Sequence, residues 1–175
     1  MLKTKGMNMM LALSLSLALL LPAARDHQMV GKPAKPIRLQ AFDGRKINLQ
    51  KMQGMVVLVN FWATWCAPCR EELPLFDRMQ KKYRKYGLAI ITVNLDSELE
   101  NAIQFLSHNG IDLTTLWDAN KKVATDWQVQ AMPSTYLIDK RGVVRAVYKG
   151  YTPATFRGMV ADVQKLLKPK RRGRR

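Results

Sequence analysis

The chain has 175 residues and a formal net charge of +16 at pH 7, with 29 lysines and arginines against 13 acidic residues. This length fits one compact domain with a sizeable core and leaves little room for a second domain. Both cysteines stand in one Cys-x-x-Cys motif, which indicates redox chemistry and argues against the disulfide framework typical of small exported proteins.

The N-terminal segment has the pattern of an export signal. Lys3 and Lys5 precede a run at residues 11–21 that is apolar except for two serines, and Pro-Ala-Ala follows it. Charged, apolar and small-residue regions in this order predict a cleaved signal peptide over residues 1–24. The alternative is an uncleaved membrane anchor, for which the run is short, since a span needs roughly 20 residues. Either interpretation predicts a protein that works outside the cytoplasm, in a periplasmic or similar compartment.

A short hairpin and a buried strand are predicted next. Strand-like segments at 37–40 and 46–49 flank a turn-forming segment at 41–45, so they predict a β-hairpin added at an edge of the fold. Residues 55–61 are almost all apolar and β-branched, which is typical of a strand buried on both faces. This strand leads directly to the cysteines.

The cysteines begin a predicted helix. From Cys69 onward, apolar residues recur at helical spacing as far as Gly87, a typical terminator, and Pro74 predicts a kink. Residues 88–95 are a second run typical of a buried strand. Strand, helix and strand in this order predict a βαβ unit with parallel strands and a right-handed crossover, and therefore an α/β fold.

Helices and strands continue to alternate in the rest of the chain. Residues 97–100 have the spacing of a capping box, and the helix after them stops at Gly110. Its predicted core face consists of Leu99, Ala102, Ile103 and Leu106. The remaining predicted elements are a strand within 113–117, a helix within 120–127, a hairpin of strands at 135–139 and 143–148, and a last helix capped by Thr152.

Cys66 and Cys69 have the spacing that disulfide exchange needs. A thiolate attacks, and a second thiol one helical turn away then attacks the mixed disulfide and releases the substrate. If Cys66 stands at the helix start, unpaired backbone N–H groups and the helix dipole lower the pKa of its thiol. Cys66 is therefore the predicted nucleophile and Cys69 the resolving thiol. Ala67 and Pro68 between them help to set the stability of the reduced form.

Other uses of the cysteines fit the sequence less well. Arg70 stands where a covalent haem motif requires histidine, and only His27 and His108 remain as further zinc ligands, without suitable spacing. No metal or other cofactor is predicted. Trp62 and Trp65 either shape an apolar substrate surface beside the thiols or pack in the core, and core packing is favoured more for Trp62 than for Trp65.

The C-terminus is strongly basic. Such a block of like charges repels itself and predicts a disordered tail over residues 169–175. The tail is either a solvated end or an electrostatic contact with an anionic membrane, a polyanion or an acidic partner. Nucleic acid is not a predicted partner, because no aromatic residues for base stacking are interleaved. The basic residues are Lys168, Lys170, Arg171, Arg172, Arg174 and Arg175.

The region around the cysteines resembles a known family. Residues 59–70, Val-Asn-Phe-Trp-Ala-Thr-Trp-Cys-Ala-Pro-Cys-Arg, resemble the active-site strand and turn of thioredoxins, and Pro74 falls where thioredoxins kink the following helix. The Gly-Lys-Pro-Ala segment at 31–34 and the predicted helix-strand insertion within 96–120 are similar to the exported TlpA/ResA/DsbE-like branch. The resemblance covers about residues 31–167.

The resemblance implies a thioredoxin fold at residues 25–168, in which helices flank a central mixed sheet, with an N-terminal β-hairpin and a central helix-strand insertion. It implies a thiol:disulfide oxidoreductase that reduces protein disulfides, for example those of apocytochrome c in cytochrome c maturation, and that is re-reduced by a membrane electron donor of the thiol-reductase type. Met132 and Pro133 resemble the cis-proline loop. The resemblance would place Pro133 against the Cys66 sulfur and leave the Met132 backbone to pair with an extended substrate segment.

One departure from thioredoxins concerns proton transfer. Cytosolic thioredoxins place a buried aspartate, which moves protons for the inner thiol, where this chain has Asn60. The resemblance to the exported branch implies that an acid after the next strand helps to move protons, which makes Asp96 and Glu98 candidates for a proton relay. The alternative is that both are ordinary helix-start residues.

Three functional alternatives stay open at this point. An oxidase would use the same residues as a reductase, because the reduction potential cannot be derived from the sequence. A binding module would dock a partner through its surface and its basic tail, with incidental cysteines. A peroxiredoxin-like peroxidase is the third, although the residues before Cys66 lack the proline-and-threonine approach that such enzymes use.

Overall fold

The structure, a computed structural model, describes residues 27–168. The predicted signal peptide at 1–24 and the predicted basic tail at 169–175 lie outside these residues. Short 3₁₀ helices lie at Leu49–Met52 and Arg84–Tyr86. The main elements in chain order are β1 (Arg38–Gln40), β2 (Lys46–Asn48), β3 (Val56–Trp62), α1 (Ala67–Tyr83), β4 (Leu88–Asn94), α2 (Leu99–His108), β5 (Thr114–Trp117), α3 (Lys122–Asp126), β6 (Ser134–Ile138), β7 (Val144–Lys149) and α4 (Pro153–Leu167).

β3 is the central strand of a five-stranded sheet with the order β5-β4-β3-β6-β7. All its residues are buried, as expected for an apolar strand covered on both faces. It pairs in parallel with β4, with Val56 opposite Leu88, and antiparallel with β6, with Val57 opposite Ile138. One sheet face packs against α1, α2 and α4, and the other packs against α3 and the N-terminal segment. The predicted α/β fold with a mixed sheet is confirmed.

α1 returns the chain from the end of β3 to the start of β4. The helix ends at Tyr83 and is followed by a 3₁₀ turn whose C-cap is Gly87, and the φ of 92° at Gly87 lies in the left-handed region that glycine adopts without a steric penalty. Leu73, Phe76 and Met79 form its buried face. The predicted βαβ unit is confirmed, and it fixes the cysteines at the carboxyl end of β3.

The prediction for α2 is wrong in two details. Glu98 precedes the helix as its N-cap and makes no side-chain capping hydrogen bond, so residues 97–100 form no capping box. Ile103 is 37% exposed instead of buried. The larger Phe105 ring is half-buried in its place and packs against Trp62, with 5.7 Å between ring centroids. The face of α2 that packs on the core therefore includes Ala102 and Phe105 and leaves out Ile103, because an aromatic ring buries more apolar area than isoleucine.

The predicted edge hairpin is present as a separate two-stranded antiparallel sheet of β1 and β2. It attaches to the β5 edge, where the Phe42 backbone N–H donates to the Thr115 carbonyl at 2.9 Å. Leu49 belongs to the following 3₁₀ helix and not to the second strand. The predicted later elements are confirmed, including the insertion of α2 and β5 and the hairpin of β6 and β7. Across residues 27–168, no helix has both the length and the apolar character needed to cross a bilayer.

Candidate active site

Cys66 and Cys69 lie where β3 passes into α1. Cys66 is the N-cap of the helix and has extended backbone geometry, and Ala67 and Pro68 occupy its first positions. The two sulfurs form a disulfide with an S–S distance of 2.01 Å and a Cα–Cα distance of 5.3 Å. Cys66 is 6% exposed and Cys69 is 1% exposed. An attacking sulfur therefore reaches Cys66 more readily than Cys69.

The surroundings of Cys66 favour a negative charge on its sulfur. The first backbone N–H groups of α1 have no partner within the helix, and the positive end of the helix dipole lies at the same place. The guanidinium of Arg70 donates to the Thr64 carbonyl at 3.3 Å, which holds a cation beside the loop that precedes Cys66. The helix terminus therefore stabilises a thiolate when the disulfide is reduced.

The loop before β6 lies on the other side of a cleft from the cysteines. The Met132–Pro133 peptide bond is cis, as the resemblance implied. Pro133 is buried, and its carbonyl accepts from the Gly150 backbone N–H at 2.7 Å. Met132 and Cys66 line the same cleft, which has a volume of about 650 Å³. The position of Pro133 against the Cys66 sulfur stays a prediction.

The two tryptophans near the cysteines have different environments. Trp62 is fully buried in the core, whereas Trp65 is 67% exposed and lines the cleft. Leu95 and Val129 add apolar surface to the same cleft. An extended polypeptide could therefore place apolar side chains beside the disulfide while its backbone remains close to Met132.

A buried carboxyl, Glu72, lies in the first half of α1. It is 1% exposed, and the Asn60 side-chain amide donates to it at 3.1 Å and to the Thr135 hydroxyl at 2.9 Å. Burial raises the pKa of Glu72 to about 8, and the hydrogen bond from Asn60 opposes this shift only in part. Glu72 therefore carries a proton at neutral pH in the disulfide form.

Glu72 is absent from the residues predicted as functional from the sequence. It follows Cys69 by three positions, so the two side chains lie on the same face of α1. Leu73 and Phe76 continue this buried face. An acidic residue on the core-facing stripe of an amphipathic helix was the signal in the sequence, because a buried carboxyl is costly without a function or a partner.

The two predicted proton-relay residues have different positions. Asp96 follows β4 and is 2% exposed. Both its carboxylate oxygens accept from the Thr64 backbone N–H at 3.1 Å, and Asn94 donates to it at 2.8 Å. Asp96 therefore ties the loop before Cys66 to the end of β4. Glu98 is exposed, and a proton relay through either acid stays a prediction.

Comparison with known proteins adds the family. Residues 30–147 match the AhpC/TSA family. The thioredoxin-like protein YneN of Bacillus subtilis strain 168 is 37% identical over 122 residues, which cover 69% of this chain and 71% of that protein. The thiol-disulfide oxidoreductase ResA of the same strain is 29% identical over 147 residues, covering 84% of this chain and 80% of ResA.

A solved structure of a related protein has the same fold as this chain. The crystal structure of a DsbE thiol:disulfide interchange protein from Chlorobium tepidum superimposes with a TM-score of 0.76 at 31% identity, over 79% of this chain and 98% of that one. The thioredoxin fold is thereby confirmed together with the cysteine pair at the start of α1. The chain belongs to the AhpC/TSA family and is a thioredoxin-fold thiol-disulfide oxidoreductase of the ResA and DsbE type.

Proposed function

We propose that this oxidoreductase works outside the cytoplasm and reduces protein disulfides, with apocytochrome c among its substrates. The observation that carries the proposal is the arrangement on α1, where Cys66 begins the helix and the more buried Cys69 shares a face with the protonated carboxyl of Glu72. The pattern of residues 1–24 supports export, either as a cleaved signal or as an anchor. Residues 25–168 then form the catalytic domain, and 169–175 form a basic tail.

The first chemical step joins the protein to its substrate. The Cys66 thiolate attacks one sulfur of a substrate disulfide, a mixed disulfide forms, and the other substrate sulfur leaves with the electron pair and takes a proton from water. Trp65 and the backbone of Met132 hold the substrate as an extended segment along the cleft. Ala67 and Pro68 set how strongly the reduced form is stabilised.

The second step releases the substrate. In the molecules in which Glu72 is ionised, Cys69 passes its proton to Glu72, the Cys69 sulfur attacks the Cys66 sulfur, and the substrate sulfur leaves as a thiolate that takes a proton from water. The products are the Cys66–Cys69 disulfide and a protonated Glu72, which is the protonation state expected from a pKa of about 8. This pKa is close to the usual value of about 8.5 for a thiol, so the proton moves between groups of similar basicity.

Re-reduction by a membrane electron donor reverses this proton transfer. As the donor attacks Cys66, the Cys69 sulfur leaves as a thiolate and Glu72 returns its proton. The reduction potential, measured against glutathione, tests the direction of electron flow. We expect a value below about −220 mV, whereas a value near about −120 mV is that of a strong oxidant and would replace the reductase by an oxidase.

Trapping tests the substrate and the order of the cysteines. A Cys69→Ser variant of the full chain, mixed with an oxidised apocytochrome c peptide that contains its Cys-x-x-Cys-His motif, should accumulate a mixed disulfide at Cys66. The Cys66→Ser variant is the matched control and should accumulate none. Absence of the adduct, or an adduct formed only by the control, would contradict these roles, and hydrogen peroxide turnover faster than disulfide exchange would favour the peroxidase.

A fusion protein tests the compartment. Residues 1–30 joined to alkaline phosphatase, which is active only where its disulfides form, should give active enzyme in bacterial cells. Replacing Lys3 and Lys5 by glutamate provides a control, because the reversed charge disrupts the charged region of the export signal. An inactive fusion with the natural segment would contradict export.

A further inference from the structure

The end of the sheet opposite the cysteines carries a cluster of lysines and arginines, which we call the basic pole. β3 and β4 both begin at this end, where Val56 pairs with Leu88, whereas Cys66 follows the other end of β3. The helices α1 and α4 both end at the pole. Its six cationic residues are exposed: Lys82, Arg84, Lys85, Lys140, Arg141 and Lys168.

Contacts between distant parts of the chain make the pole one surface. The Gly54 backbone N–H donates to the Lys140 carbonyl at 2.8 Å, which joins the start of β3 to the turn between β6 and β7. The Lys140 ammonium donates to the Leu167 carbonyl at 3.5 Å, at the end of α4. Gln164 donates to the Tyr83 hydroxyl at 2.6 Å and so links the ends of α4 and α1.

The positive charge of the pole is largely unneutralised. Two carboxylates of the adjoining helices have basic partners outside the pole: Asp77 pairs with Lys81 at 2.6 Å and Asp162 with Lys165 at 2.9 Å. Asp43 and Asp112 line a depression together with Arg84, and Asp43 pairs with Arg45 at 2.6 Å. Asp139 pairs mainly with Arg145 and lies 3.7 Å from Arg141. Among the ion pairs formed within residues 27–168, none includes Lys82, Arg84, Lys85, Lys140 or Lys168.

An exposed aromatic side chain lies within this charge. Tyr86 is 57% exposed and is one of three large apolar side chains that are exposed in residues 27–168. The Lys85 ammonium lies 5.1 Å from the centre of its ring. Tyrosine flanked by lysine is suited to the headgroup region of a bilayer, where the ring enters the interface and the cations contact phosphates. Beyond Lys168 the sequence adds five more lysines and arginines.

We propose that the basic pole and Tyr86 dock the domain on an anionic lipid bilayer. Because Cys66 lies at the opposite end of β3, the docked domain presents its disulfide and cleft away from the lipid, where protein substrates reach them. Charge complementarity selects an anionic partner. The apolar run at residues 11–21 favours lipid over nucleic acid, since either as a signal or as an anchor it directs the chain to a membrane.

Vesicle binding by the full-length oxidised chain tests the proposal. Partitioning is compared between phosphatidylcholine vesicles and vesicles that also contain phosphatidylglycerol, so contributions of the N-terminal apolar run common to both cancel. The variant K82Q/R84Q/K85Q is compared with K121Q/K149Q/R157Q, which removes the same charge from exposed positions at the cysteine end. Each lysine or arginine near an anionic surface contributes about fivefold to partitioning.

We expect the pole variant to lose about 100-fold of its preference for phosphatidylglycerol and the control variant to lose about twofold. K140Q/R141Q, on another segment of the pole, and Tyr86→Ser should also weaken binding. Circular dichroism melting curves confirm that each variant folds. Equal losses in the two triple variants would mean that only net charge matters and would overturn the proposal.

Two further measurements test the partner and the orientation. Duplex DNA is tested as a competitor of the vesicles. If it competes and its binding depends equally on Lys82, Arg84 and Lys85, the partner of the pole is any polyanion and not specifically lipid. The rate at which dithiothreitol reduces the Cys66–Cys69 disulfide should be the same on vesicles and in solution. Slower reduction on vesicles would place the cysteines against the lipid and refute the orientation.

Discussion

Replacement of Glu72 by glutamine tests the protonation state of the buried carboxyl. Burial raises the pKa of Glu72 from 4.5 to about 8 in the folded protein. The folded chain therefore holds a proton that the unfolded chain releases between these pH values. The protonated carboxyl contributes its full stabilisation below about pH 4.5, and this contribution is lost as the pH rises through about 8.

The shift corresponds to a large change in the free energy of unfolding. Between pH 5 and pH 9, the wild-type protein should lose about 4 kcal/mol relative to Glu72→Gln, because glutamine keeps the shape of the protonated side chain and has no proton to release. The glutamine amide also remains able to accept the hydrogen bond from Asn60. Other titrating groups are common to both proteins, so their contributions cancel in the difference.

Urea unfolding of the oxidised proteins at pH 5, 7 and 9 measures this difference. The matched control is Glu71→Gln, which removes an acidic charge from the exposed neighbouring position of α1. The control should follow the wild-type pH dependence, while Glu72→Gln should show a flatter curve. Parallel curves for all three proteins would refute the raised pKa of Glu72 and, with it, the proton transfer between Glu72 and Cys69.

Three other substitutions have distinct expected outcomes. Trp65→Ala should raise KM for protein disulfides several-fold and change the free energy of unfolding by less than about 0.5 kcal/mol, because Trp65 is exposed. Trp62→Ala should lower the free energy of unfolding, measured with urea, by about 3–5 kcal/mol, because Trp62 is buried. Equal losses of stability would contradict this difference in burial. Asp96→Asn should slow mixed-disulfide formation in stopped-flow experiments, because Asp96 holds Thr64 in the loop before Cys66. The pH dependence of this rate should stay unchanged. A shifted pH dependence would favour a proton relay through Asp96. Gly87→Ala should lower the free energy of unfolding, measured with urea, by about 1–2 kcal/mol. A Cβ at this position meets nothing within 4 Å, so the loss would come from the strained φ of 92° and not from a clash. An unchanged urea midpoint would contradict backbone strain.

The main features of the fold follow from local sequence patterns. The apolar run that becomes β3 and the helical spacing from Cys69 to Gly87 are strong periodic signals, so strand, helix and crossover were predictable. The choice of buried residues on α2 was not predictable in this way. Ile103 and Phe105 are both apolar, and the choice of the buried one depends on the distant Trp62 ring, which periodicity within the helix does not contain.

The predicted cysteine pair and cis-proline loop depended on a specific motif, whereas the buried acid depended on tertiary packing. Asn60 lies on β3 and Glu72 on α1, and the structure brings them to 3.1 Å. Position 60 has no carboxyl group, but the carboxyl of Glu72 on α1 lies beside it and accepts a hydrogen bond from Asn60. An acid on the helix lies on the same element as both cysteines, so proton transfer with Cys69 needs no movement of the sheet. Asp96 holds the loop before Cys66, so the proposed mechanism uses two different carboxyl groups, Asp96 to position the nucleophile and Glu72 to transfer the proton.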